Sequence, residues 1–250
     1  MSFNASRLGF WFKQINRAYK RRILCFYDPL TFGPEGDADY YSGPDRKPNT
    51  DLYPVIQARG NALGFEVDLV SNFSTLLSTD LTVYSHLWDL GYATPYIGNP
   101  NNPTSKLLTY IQSGGAMFIL GENSAFQPRD NAIGTFVEAL GGGANIVEGS
   151  IDFNYQRTLT LDSQFRLDNS SSQVTFARPG VFTNYGTGTP MTGPFPLTGE
   201  LHYPAVMWKV GSLSNCPIGS VISILDLNFI VGVYQDYDFI DNLIVSLNSL

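Results

Sequence analysis

A short apolar run bounded by glycines narrows what this chain can become more than any other feature. Ala116-Met117-Phe118-Ile119-Leu120 is continuously apolar, follows Gly114-Gly115 and breaks at Gly121-Glu122-Asn123. A run with no polar face has to be buried on both sides, as a strand inside a parallel sheet is. The pattern recurs along the chain. Arg22 to Asp28 is apolar and leaves into Asp-Pro, Phe65 to Val70 alternates, and Leu81 to Trp88 reads as a third strand. Between these runs lie helical spacings. Leu52 to Leu63 is capped by Asn49 or Thr50 and closed by Gly64, Thr104 to Ile111 is stopped by Gly114-Gly115, and Asn131 to Leu140 ends at Gly141-Gly142-Gly143. Strands alternating with helices predict an α/β fold, a mostly parallel sheet with helices on both faces.

Beyond this core the character changes. From about 151 to 205, short alternating stretches such as Thr158-Leu159-Thr160-Leu161 and Val174-Thr175-Phe176 sit among Gly, Pro, Ser and Thr, predicting an irregular antiparallel β-rich insertion. Val206 to Val210 and Val221 to Leu225 then read as a hairpin, and Ile240 to Leu250 as a closing helix with Leu243, Ile244, Leu247 and Leu250 on one face. No internal repeat or linker divides residues 23–250, so they are expected to form one domain behind an arm of residues 1–22.

Composition excludes several classes. Hydrophobic residues make up 43% of 250, enough to offset chain entropy and exclude global disorder. No apolar run approaches the roughly 20 residues needed to span a bilayer. The N-terminus lacks the apolar core of a secretory signal, so the protein is expected in the cytoplasm or assembled into a particle. Cys25 and Cys216 make at most one disulfide, and no disulfide framework. Asn4, Asn72 and Asn169 stand in glycosylation sequons, a match frequent by chance.

Charge is unevenly placed. Six of the 15 basic residues fall within positions 1–22 and no acid precedes Asp28, which leaves 9 basic against 22 acidic residues, a net of -13, for the remainder. At a helical period, Leu8, Trp11, Phe12, Ile15 and Tyr19 share one face, while Arg7, Lys13, Arg17, Lys20 and Arg21 fall opposite. Three uses fit: packing on its own domain, docking on a partner protein or a neighbouring acidic copy, or contact with an anionic membrane or nucleic acid. The acidic body argues against nucleic acid. Protein partners or self-association are therefore expected, with Trp11, Phe12, Ile15, Arg17, Tyr19, Lys20 and Arg21 as the contact residues. Loop tyrosines (Tyr40, Tyr41, Tyr92, Tyr96, Tyr185, Tyr203, Tyr234 and Tyr237) add a second contact chemistry or cover the core.

The segment from Leu108 through Gly114-Gly115 to Leu120-Gly121-Glu122-Asn123 resembles the helix, Gly-Gly turn, strand and elbow of class I glutamine amidotransferase-like domains. The stretch Gly219 to Phe229, containing Leu225-Asp226-Leu227-Asn228, is similar to the closing strand and turn of their non-catalytic relatives, found in gliding-motility and intraflagellar-transport proteins. The resemblance implies a flavodoxin-like sheet with any site at the carboxyl ends of the strands, where open α/β sheets bind ligands generally. It also implies a thiol nucleophile on the bend after the central strand, activated by a helix N-terminus. By register that place holds Glu122, or else Asn123. The family's His-x-Glu pair is missing: only His86 and His202 occur, and His202 precedes Tyr203-Pro204. Cys25 falls inside the first strand and reads as an inert buried thiol.

The expectation is therefore a non-enzymatic structural or interaction module of a larger assembly, such as a virion or surface apparatus, with no cofactor. The alternative uses a polar cluster at the strand ends, comprising Asp28, His86, Asp89, Glu122, Asn123 and Asp226. Such a cluster would hold a hard cation, Ca2+ or Mg2+, for hydrolysis, or bind a carbohydrate or other polar ligand. The bland reading is that each of these residues caps a helix or pins a loop. The lack of cysteine partners and of His-x-x-x-His spacing argues against a zinc site, and the lack of a glycine-rich phosphate signature against a nucleotide loop.

Overall fold

The apolar run Arg22–Phe26 forms strand β1, with every residue after Arg22 buried. This structure is a computed structural model and describes residues 21–27, 48–91, 101–122, 126–143, 156–166, 170–177, 179–197, 200–230 and 234–249. The chain continues through α1 (Pro48–Ala62), β2 (Glu66–Val70), α2 (Phe73–Ser78), β3 (His86–Asp89), α3 (Thr104–Gln112), β4 (Ala116–Leu120) and α4 (Gln127–Ala139). A β-rich section follows with β5 (Gln156–Thr160), β6 (Gln173–Ala177), β7 (Thr189–Pro190), β8 (Phe195–Leu197) and β9 (Glu200–His202). It ends with β10 (Ala205–Trp208), β11 (Ser220–Ile224) and α5 (Tyr237–Ser249).

Seven strands form one mixed sheet in the order β2-β1-β3-β4-β11-β10-β7. Pairing is parallel from β2 across to β11, and antiparallel for β10 and β7. This is the flavodoxin-like α/β architecture expected. Alternation along each strand sends its two faces into two cores. Ile23, Cys25, Ala116, Phe118 and Leu120 join Leu52 and Ile56 of α1 and Leu243, Ile244 and Leu247 of α5. Leu24, Phe26, Met117 and Ile119 join Phe73 and Leu76 of α2, Leu107 and Ile111 of α3, and Ile133 and Phe136 of α4. Glycines end the helices where the chain must reverse, and Gly64 after α1 takes a φ of 81°.

Several local expectations change. The third strand is shorter than read, because Leu81–Val83 is a 3-10 turn whose start is held by the Asp80 carboxylate accepting Thr82 N–H at 2.9 Å. Helix α2, which the apolar spacing does not predict, begins at Asn72, whose side chain accepts Thr75 N–H at 2.7 Å. Helix α4 starts at Gln127 rather than Asn131, and α5 at Tyr237 rather than Ile240. The late hairpin is antiparallel as expected, but β11 also pairs in parallel with β4 and so lies inside the central sheet. The insertion contains the antiparallel pair β5–β6 and a separate pair β8–β9.

Candidate functional site at the carboxyl ends of the strands

In a parallel sheet, residues just past the strands share one end, and here that end gathers five buried charged side chains. They are Asp89, closing β3; Glu122, two residues past β4; Arg129 and Asp130 in the first turns of α4; and Asp226, two residues past β11. Burying charges this deeply is tolerated only when each finds partners.

Arg129 ties two strands to the helix that follows them. Its Nη2 donates to Asp89 Oδ2 at 2.6 Å and to the Leu120 carbonyl at 2.9 Å, while Nε donates to the same carbonyl at 3.0 Å. Both side chains of this pair are 1% exposed. The second Asp89 oxygen accepts Gly91 N–H at 3.0 Å and shapes the chain leaving β3.

Glu122 occupies the bend leaving the central strand. Its backbone N–H donates to Asp130 Oδ1 at 3.2 Å, and its Oε2 accepts Leu227 N–H at 3.1 Å. Asp226 has an equivalent task. Its Oδ2 accepts Ala177 N–H at 2.6 Å, and its Oδ1 accepts both N–H groups of Asn228, backbone at 2.7 Å and side chain at 2.8 Å. Burial pushes the Asp226 carboxyl up to about 6, with the hydrogen bonds from Asn228 and Ala177 pulling the other way.

Of the six residues expected at this end, the structure places Asp89, Glu122 and Asp226 there. Asp28 and Asn123 lie outside the described residues. His86 is the first residue of β3 and pairs with Ile23 and Ala116, three positions before Asp89 and so about 10 Å nearer the amino ends. It is fully buried, its Nδ1 accepting Trp88 Nε1–H at 2.9 Å and its ring edge-on to Phe65. His86 therefore does not join the strand-end residues. Arg129 and Asp130 are not among the residues expected from sequence, although an Arg-Asp pair one turn into the helix behind a buried strand is a visible signal. Asn228 and Ala177 carried no such signal, because the latter meets Asp226 across 49 residues of sequence.

No group of three or more His, Cys, Asp or Glu among the described residues has the geometry to hold a metal ion. The thiols lie elsewhere. Cys25 is in mid-strand β1 and Cys216 in the loop before β11, both are buried and unbonded to each other, and burial raises both pKa values. His202 sits in β9 of the outlying hairpin.

Among the residues expected to make contacts, Trp11, Phe12, Ile15, Arg17, Tyr19 and Lys20 lie outside the described residues. Arg21 belongs to the sheet margin: its carbonyl accepts Glu66 N–H at 2.7 Å, and its guanidinium donates to the Leu63 carbonyl and stands over Phe65. Tyr40, Tyr41, Tyr92 and Tyr96 are likewise outside. Tyr185 and Tyr203 are half-buried, with rings perpendicular at 5.4 Å, and Tyr237 is exposed beneath the Arg59 guanidinium.

No protein-family model matches the chain, and no curated protein matches it. Solved structures do. The N-terminal domain of mmIFT52 superposes with a TM-score of 0.57 at 11% identity, covering 90% of this chain and 97% of that one. A putative GMP synthase component from Thermoplasma acidophilum gives 0.52 at 11%, covering 92% and 95%. A putative ThuA-like protein from Bacteroides uniformis gives 0.51 at 12%, covering 90% of each chain. The likeness is one of fold. It agrees at that level with the amidotransferase-like resemblance of the sequence, and identities this low carry no residue roles across. Among the described residues, no helix is long and apolar enough to cross a membrane.

Proposed function

We propose that the protein is a non-catalytic structural or interaction module of a larger assembly, built on an amidotransferase-like scaffold. One observation carries this reading. At the bend leaving β4, where the resemblance calls for an exposed thiolate in place of Glu122 or else Asn123, Glu122 has no solvent exposure and a carboxylate engaged on Leu227 N–H, while Asn123 lies outside the described residues. The neighbouring acids support it. Asp89 serves Arg129 and Gly91, and Asp226 serves Ala177 and Asn228, so these groups hold loops and helices in place. A buried, hydrogen-bonded carboxylate in that position stabilises the turn and offers no thiol nucleophile.

Contacts are assigned to the basic amphipathic segment of residues 1–22 and to the tyrosine-bearing loops, set against a net charge of -13 over residues 23–250. Light scattering coupled to size exclusion, on the full chain and on a Trp11→Ala/Phe12→Ala/Ile15→Ala variant, tests the assignment. The expected result is an oligomer that dissociates in the variant, and more readily as salt rises. A strictly monomeric chain whose state ignores the substitutions overturns it, as does glutamine hydrolysis abolished by Cys25→Ala or Cys216→Ala.

A further inference from the structure

We propose that the insertion's return segment, residues 179–182, is a fixed cover over the bend leaving β4, anchored so that it lifts only when the sheet itself unfolds. Such a cover is a device of the fold, and it holds whether or not the chain assembles with others.

The bend is enclosed by its neighbours. Gly180 lies directly on it, its N–H donating to the Leu225 carbonyl at 2.7 Å. A Cβ added there would stand 2.4 Å from the Glu122 carbonyl oxygen, 2.9 Å from Asp130 Oδ2 and 3.0 Å from Leu225 Cβ. Only glycine lets the segment approach the backbone this closely. At the last residue before Glu122 the fit is equally tight, since a Cβ at Gly121 would meet Leu225 Cδ2 at 2.4 Å and Asp130 Oδ1 at 2.6 Å. Between Gly180, Leu225 and Asp130, Glu122 has no solvent exposure. Open α/β sheets receive ligands in the crevice beyond their strand ends. Beyond β4 and β11 the chain itself takes that place.

The two side chains after Gly180 hold the cover down, one in each core. Val181 is buried in the core that contains Leu120 and Ile224, and Phe182 in the opposite one, with Ile133 and Trp208. The Phe182 ring stands edge-on to Trp208 at 5.8 Å. Phe182 also exchanges two backbone bonds with Tyr203, its N–H donating at 2.8 Å and its carbonyl accepting at 3.2 Å. Consecutive residues of extended chain point to opposite sides, so this pair straddles the end of the sheet. Lifting Gly180 off Glu122 has to withdraw a valine and a phenylalanine into water and break all three backbone bonds. A movable lid has few buried apolar contacts and opens far below the global free energy. This segment has the opposite character, and a group at position 122 therefore meets solvent only through global unfolding.

Native-state hydrogen exchange of the full chain in rising urea tests this. The Gly180 and Phe182 amides should exchange within about tenfold of the β4 amides and share their urea dependence. Faster exchange than that, through an opening of weaker urea dependence, overturns the cover. Glu122→Cys adds a chemical readout. Cys25 and Cys216 are both buried, so the folded variant should stay as silent toward Ellman's reagent as the wild type. Its thiols should react about a thousandfold or more slower than free cysteine. Prompt labelling of one thiol per chain, in a variant that keeps the wild-type urea midpoint, overturns the proposal. If the midpoint falls, the wild-type exchange decides alone. Failure of the assembly reading, seen as an oligomeric state indifferent to the arm, moves neither readout.

Discussion

Arg129 shows how much a single buried charge can organise. It donates to Asp89 and twice to the Leu120 carbonyl, and so fixes α4 to β3 and β4 at once. Taking away one partner leaves the other charged and desolvated, which costs far more than the pair gains over an apolar replacement. Arg129→Met and Asp89→Asn should each lower unfolding free energy by about 3–5 kcal/mol, read from urea midpoints at constant slope. The double variant should recover part of that loss, since no unpaired charge remains. An exposed pair such as Arg22 with Glu66 should behave differently, contributing about 0–1 kcal/mol. The sequence showed Asp89 as a polar residue near a strand end, but the identity of its counter-ion was hidden, because Arg129 lies 40 residues away.

Among the elements, α2 is the instructive case. Six residues, Phe73–Ser78, are too few for a clear helical period, and Thr75 and Ser78 are indifferent helix formers, so nothing in the apolar spacing announced it. It exists because Phe73 and Leu76 are buried against β1 and the 3-10 turn beyond it, and because Asn72 caps its start. Lys106 on α3 secures its other end by donating to the Leu77 carbonyl at 2.7 Å and to that of Thr79. A helix this short depends on its caps. Asn72→Ala should cost about 1 kcal/mol in thermal or urea unfolding, while Asn72→Asp or Asn72→Ser should restore most of it. A variant at wild-type stability would show that tertiary packing alone holds α2. The shortened third strand has a related cause, as the Asp80 side chain captures Thr82 N–H and turns the backbone before the sheet begins.

At the scale of the whole molecule, an aromatic file joins the insertion to the sheet. Phe176 of β6 meets Phe239 of α5, which meets Phe229 after β11, then Phe118 of β4 and Trp88 of β3, with centroid separations from 4.5 to 6.5 Å. The insertion's Leu159, Leu161, Phe165 and Val174 belong to the same apolar core as Ile23 and Cys25 of β1. Sharing a core predicts a single cooperative transition, with far-ultraviolet dichroism and tryptophan fluorescence giving coincident urea curves. Phe176→Ala should shift both together by about 3–5 kcal/mol. Separate midpoints would show the insertion to be an independent unit.

What the sequence alone determined is the course of the main elements, where apolar spacing and glycine stops are clear. The apolar run at Ala116–Leu120, the glycine stops and the helical spacings around them dictated strand, helix and turn, and with them a largely parallel sheet covered on both faces. Tertiary structure decided the rest: that β11 lies beside β4, that His86 is at the far end from Asp89, and that Asp226 holds Ala177. These are contacts between distant residues, whose partners are selected by strand order and burial. Local periodicity specifies which face a side chain takes, but only the assembled sheet specifies what it meets there.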